Sequence, residues 1–275
     1  MREISLLIFL LLMISLQTFS QKSPFTGRGK ANLVPDPTVQ SIAVDQFKLY
    51  LSKHTLIDSS QDSDFATVQK VGERIVAAAK TYFNHQKAVS AELKSFHWEI
   101  RLIGKKEANA WCLPGGKMVV YSGLLPVTQS EASLAVLLSH EIAQMLLKHG
   151  NERMKQYLEE KMDGKPLAEC LISRPADTKD LFMSAYGMDT NAGIWVPFSK
   201  EHELEADKLG LIFCAIAGYN PREALVFWER MGRFSHGPKQ PELLSTHPTY
   251  VERIDNLNDI MDETVKNYYK PIIKK

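Results

Sequence analysis

Apolar residues recur at Val39, Ile42, Phe47 and Leu51, and again at Phe65, Val68, Val71, Ile75 and Ala79. These spacings predict two amphipathic helices. The period then changes. Residues 96–103 (FHWEIRLI) alternate large apolar with polar side chains, and the β-branched run KMVVY at 117–121 follows the turn Pro114-Gly115-Gly116, so a short hairpin or meander is expected. From Glu131 onward the helical period returns over 131–149, 200–217, 221–231 and 247–261. Gly218-Tyr219-Asn220 before Pro221 reads as a helix stop followed by a proline-initiated restart. Residues 162–195 show no usable period, and there is no internal repeat. The pattern is that of a single, mostly helical α+β domain over 37–275, with few strands.

The one long apolar run lies at the start. Ile4 to Leu16 spans 13 residues behind Met1-Arg2-Glu3, short of the about 20 needed to cross a hydrocarbon core. It reads as a signal peptide over 1–20, with cleavage after Ser20 and an extended lead-in over 21–36. The expectation is an exported protein, periplasmic or secreted, associated with a membrane only if that segment is uncleaved. No cysteine lies nearby to carry a lipid.

Composition narrows the function. The 275 residues are 44% apolar and 24% charged, enough to build a globular core. Lys+Arg 33 against Asp+Glu 32 leaves a formal charge of +1, which argues against a nucleic-acid partner or a broad anionic-membrane footprint. Cys112, Cys170 and Cys214 form no CxxC pair and are too few for a disulfide framework, so they read as buried, inert thiols.

The chemistry is concentrated in EASLAVLLSHEIAQMLLKH, 131–149, a helix apolar on most faces into which His140, Glu141 and Gln144 are inserted. Burying ionisable groups costs several kcal/mol unless they are paired or hold a metal, so these positions require a reason. His140 and residue 144 lie one turn apart on one face, the spacing of the zinc-protease helix HExxH, but here the sequence reads H-E-I-A-Q. Glu203 and Asp207, also at i and i+4, offer one carboxylate as ligand and one to orient an imidazole. His247 and Arg253 return a third polar element toward the same region.

HEIAQ, ELEAD, THPTYVERI and the upstream NAWCLPGGKMVVYSGLL together resemble metallopeptidase family forty-eight. That gluzincin family includes HtpX, the prenyl-protein endopeptidases and proteins similar to the protease domain of BepA. The resemblance runs from about Asn32 to the end of the last helix. It implies an α+β fold around the active helix and one Zn²⁺ per chain, with His140 as first ligand, residue 144 as second and Glu203 as third. It further implies Glu141 as general base, Asp207 as the group orienting His140, His247 as an aid to the oxyanion and Arg253 as its support. Asn109, Ala110, Trp111 and Cys112 resemble an edge strand beside the active helix that pairs with the backbone of a polypeptide substrate. The membrane helices of HtpX and the repeats of BepA have no counterpart here.

Gln144 is the departure. An amide is not among the common zinc ligands, so metal affinity is expected to fall. His149, nine positions on, is expected to face away on the same helix, and His202 to point about 100° from Glu203. The expected function is therefore a zinc metalloendopeptidase acting on misfolded or envelope proteins, with activity weakened or lost through Gln144. The alternative is a non-catalytic holdase or adaptor that binds extended polypeptide through the 109–113 strand.

Overall fold

The structure, a computed structural model, describes residues 21–22, 29–30, 36–58, 62–188, 198–234, 247 and 251–272. The apolar run 4–16 lies outside them. The chain divides into two compact units, Met1–Asn32 and Leu33–Lys275. In the first, β1 (Gln21–Lys22) pairs antiparallel with β2 (Gly29–Lys30), where a plain extended lead-in is expected.

The second unit opens with α1 (Asp36–Ser52), which buries Val39, Ala43 and Phe47, and β3 (Leu56–Ile57). Helix α2 (Ser63–Tyr82) starts where the Asp62 carboxylate accepts hydrogen bonds from the backbone N–H of Asp64 and Phe65, and it buries Val68, Val71, Ile75 and Ala79. Helix α3 (Lys87–Ser95) and β4 (Glu99–Ile103) follow, then β5 (Ala110–Leu113) and β6 (Lys117–Tyr121). Gly115 and Gly116, both at φ +81°, make the β5–β6 turn in a backbone conformation that other residues resist. The sheet order is β3-β4-β6-β5, with β4 parallel to β6 and the other pairs antiparallel. The hairpin is present, but a meander is not: β4 lies on the far side of β6, because the chain crosses over before β5.

The remainder is helical: α4 (Leu125–Thr128), α5 (Glu131–Leu146), α6 (His149–Lys161), α7 (Leu167–Ser173), α8 (Pro175–Ala185), α9 (Lys200–Ile216), α10 (Glu223–Phe234) and α11 (Val251–Tyr268). Helices α7 and α8 occupy the stretch that lacked a period. Helix α5 is the centre of the fold, packed by α2, α9, α10 and β5, which is why it is apolar nearly all round. The single helix expected over 131–149 is instead two: Lys148 adopts a left-handed conformation at φ +60° and restarts the chain as α6. Among the described residues, no helix is long and apolar enough to cross a membrane.

Candidate active site

Helices α5 and α9 cross tightly. A Cβ on Gly210 of α9 would stand 3.0 Å from the backbone nitrogen of His140, so only glycine lets the two backbones meet there. One turn earlier on α9, Asp207 thereby faces His140, with its Oδ1 2.9 Å from the imidazole Nδ1. Arg253 of α11 closes the other side. Its Nε and Nη2 each donate to the Asp207 carboxylate at 2.7 Å, and its Nη1 stands 2.6 Å from Glu203 Oε2. The guanidinium carbon stands over the Trp228 ring, 3.7 Å from its centroid, while its nitrogens serve the carboxylates.

Around this frame the expected residues converge. His140 Nε2 is 3.5 Å from Glu203 Oε2, and His247 Nδ1 is 3.0 Å from Glu203 Oε1. The ring of His247 stacks on Phe198 at 4.6 Å, and its Nε2 lies 3.6 Å from Glu141 Oε1. Gln144 donates from Nε2 to Glu203 Oε1 at 2.9 Å; the same nitrogen is 3.0 Å from His140 Nε2 and 3.2 Å from His247 Nδ1. All six of these side chains, with Asp207 and Arg253, are buried or nearly so.

The acids set the charge of the site. Glu203 and Asp207 are both taken out of water, yet Arg253 holds each carboxyl below its ordinary range, Glu203 well below. Two anions thus face one fixed cation. Burial opposes protonation of His140, but Glu203 and Asp207 outweigh it and push its pKa up to about 9. The pocket collects positive charge. Burial raises the Glu141 carboxyl, against the pull of the neighbouring histidines, and its Oε1 has no hydrogen-bond partner among the described residues. Among the described residues one group of donors lies within the reach of a single ion: His140, Glu203 and His247, whose ligand atoms all fall within 4.8 Å of one another. Two imidazoles and a carboxylate are a zinc donor set, so the residues present fit such an ion.

Strand β5 is at the sheet edge, as expected, but its residues are buried, Trp111 fully so. Trp111 packs edge-on against Tyr50 and Phe47. Asn109 is also committed: its side chain accepts from the Ala110 N–H at 2.9 Å and donates to the Gly187 carbonyl at 3.3 Å. Cys112 lies beside Glu141, and burial with that charge holds its thiol well above the ordinary range, an inert sulfur. His149 does not face away along α5. It opens α6 and bonds Glu205, a second histidine–carboxylate contact that pattern alone did not reveal.

Comparison with known proteins follows the same residues. The mitochondrial metalloendopeptidase OMA1 of Schizosaccharomyces pombe is 28% identical over 244 residues, 87% of this chain and 66% of that protein. Human metalloendopeptidase OMA1, also mitochondrial by name, is 27% identical over 264 residues, 94% of this chain and 49% of that protein. The beta-barrel assembly-enhancing protease of Escherichia coli is 28% identical over 165 residues, 56% and 32% respectively. The chain thus spans at most about two thirds of the length of these three relatives. The mitochondrial names overturn the exported, periplasmic or secreted location expected from residues 4–16; a short apolar run behind one basic residue did not carry enough information to fix a compartment. The model of peptidase family M48 matches residues 63–261, from the start of α2 into α11, and this chain belongs to that family.

Proposed function

We propose that this chain is a zinc-dependent endopeptidase that cleaves polypeptides at the His140–Glu203–His247 centre, with Glu141 as general base. One observation carries the reading. Glu141 presents a buried carboxylate oxygen, without a hydrogen-bond partner among the described residues, beside three converging metal donors. A bound zinc ion would supply Lewis acidity toward a peptide carbonyl and bring the pKa of water to near 7. Glu141 would take the proton from the attacking water, and its burial, which raises its pKa, suits it to pass that proton on to the leaving amine. Asp207 fixes His140 by accepting from Nδ1, which leaves Nε2 free to face the centre. Arg253 holds both carboxylates in place through its two-sided contact. The relatives' names set this activity in a mitochondrial context and give no substrate beyond protein. The buried site implies that the elements covering it part before a polypeptide can enter.

The test is proteolysis of an unfolded probe such as casein by the purified full chain. Glu141→Gln removes the base and leaves the metal donors, so the rate should fall by about 10²-fold or more with zinc content unchanged. Chelator-sensitive cleavage that survives in this variant would overturn the reading.

A further inference from the structure

The amide nitrogen of Gln144 is the point on which three would-be ligand atoms converge: 3.0 Å from His140 Nε2, 2.9 Å from Glu203 Oε1 and 3.2 Å from His247 Nδ1. An NH₂ group only donates: it gives a hydrogen to the Glu203 carboxylate, and the two imidazole nitrogens crowd it. The orientation of the amide is fixed by what surrounds it, since the reverse would set its carbonyl oxygen against the Glu203 carboxylate. The oxygen has no hydrogen-bond partner among the described residues. Gln144 therefore borders the space those three atoms would share with an ion and turns its amide hydrogens into it, so the amide in this orientation and the ion exclude each other. An amide nitrogen, whose lone pair is delocalised into the carbonyl, is not itself a ligand.

We infer that His247 completes the metal site with His140 and Glu203, and that Gln144 is a displaceable plug which competes with the metal for it. The inference rests on the zinc reading above. The chain has thus replaced the missing donor of α5 with one from just ahead of α11, and the side chain at 144 has become a surrogate for the ion. Metal entry must break the amide's hydrogen bond to the Glu203 carboxylate and its contacts with the two imidazoles. Weak affinity then follows from the plug and not from a shortage of donors.

This reverses the sign of an ordinary ligand deletion. If Gln144 were a ligand through its oxygen, Gln144→Ala would weaken zinc binding. As a plug, its removal should strengthen binding by about tenfold or more, the weight of a hydrogen bond to a charged acceptor. His247→Asn should lose zinc by a larger factor than any change made at 144, since it takes away a donor. Zinc affinity is read on the purified full chain by competition with a chromophoric chelator, with folding checked by circular dichroism. X-ray absorption of the zinc-loaded wild-type protein counts imidazoles independently of any variant, and two are expected. One imidazole in wild type, or weaker binding in Gln144→Ala with the fold intact, overturns the inference while leaving a zinc peptidase standing. Should Gln144→Ala fail to fold, the imidazole count decides. Absence of zinc binding in both proteins up to millimolar zinc overturns the inference and the zinc reading together, an outcome distinct from the two above.

Discussion

Helices α5, α6 and α9 build two buried histidine–carboxylate clusters from nearly the same parts, and the two behave in opposite ways. At the candidate active site His140 faces a carboxylate from each ring nitrogen, Asp207 at Nδ1 and Glu203 at Nε2. In the second cluster His149 Nε2 donates to Glu205 and His202 Nε2 to Glu152, both at 3.0 Å, and the two rings stack with centroids 4.4 Å apart. His149 Nδ1 has no partner among the described residues. Burial therefore pushes His149 down to about 4, whereas two anions lift His140 to about 9. Burial of histidines with acids does not by itself make a metal site. The difference is convergence: one cluster aims several donors at a common point, and the other resolves into separate histidine–carboxylate pairs.

The widest separation between them should appear when a charged partner is removed. Arg253→Met leaves Asp207 and Glu203 buried without their cation, so the metal-free protein should lose about 3–5 kcal/mol of stability. Glu205→Gln removes an acid from a pair in which the histidine is already neutral, and should cost only about 1 kcal/mol, the worth of one hydrogen bond. Urea denaturation of both variants decides. Equal losses would mean that the second cluster is as charged as the first, and the distinction would fail.

The sequence carried the first cluster and concealed the second. His140, Glu141, Glu203 and Asp207 were legible because helical periodicity fixes which residues share a face, and α5 and α9 kept the predicted phase. The break at Lys148 was not legible. Gly150 marks a stop two residues too late, and a left-handed lysine between two helix-forming stretches has no local signature. That break turns His149 off α5 and onto Glu205. The burial of Trp111 was not legible for a related reason: Tyr50 and Phe47 arrive from α1, some sixty residues away in the chain, to pack on its ring. The proximity of Gln144 to all three donors required the packing of α11 and so lay beyond any single-helix argument.

The pH dependence of stability should separate the clusters further. The ordinary value for His149 is 6.5 and its folded value is about 4, so the unfolded chain binds the proton first as the pH falls. Its contribution is present in full above 6.5 and is lost as the pH drops toward 4, up to about 3 kcal/mol at ~1.4 kcal/mol per unit. That folded value already contains the upward pull of Glu205 and Glu152 and a further lowering by His202. Glu203 and Asp207, whose pKa values are lowered, give way only at pH values beneath that window. Urea midpoints measured from pH 7 to 4 should fall in wild type and flatten in His149→Gln. An unchanged slope would assign the acid sensitivity to other groups.

The smallest effect tests whether the clusters are independent at all. They meet in the first turn of α9, where Ser199 caps the helix: its Oγ accepts from the His202 N–H at 3.2 Å, and His202 Nδ1 accepts from the Ser199 N–H at 3.3 Å. Glu203 is the next residue. Ser199→Ala removes this reciprocal cap and should cost about 1 kcal/mol, while Ser199→Asp keeps an acceptor at the helix start and should recover it. Zinc affinity should shift by less than roughly threefold in either variant, below the roughly tenfold lost when a partner that orients a ligand is removed. The reason is that Glu203 is fixed from the far side by Arg253 at 2.6 Å, and the cap orients only its neighbour. Calorimetric melting with zinc competition on the same samples reads both quantities. A tenfold loss of zinc in Ser199→Ala, recovered in Ser199→Asp, would show that the first turn of α9 transmits strain from His202 to Glu203, and the two clusters would then be one coupled unit.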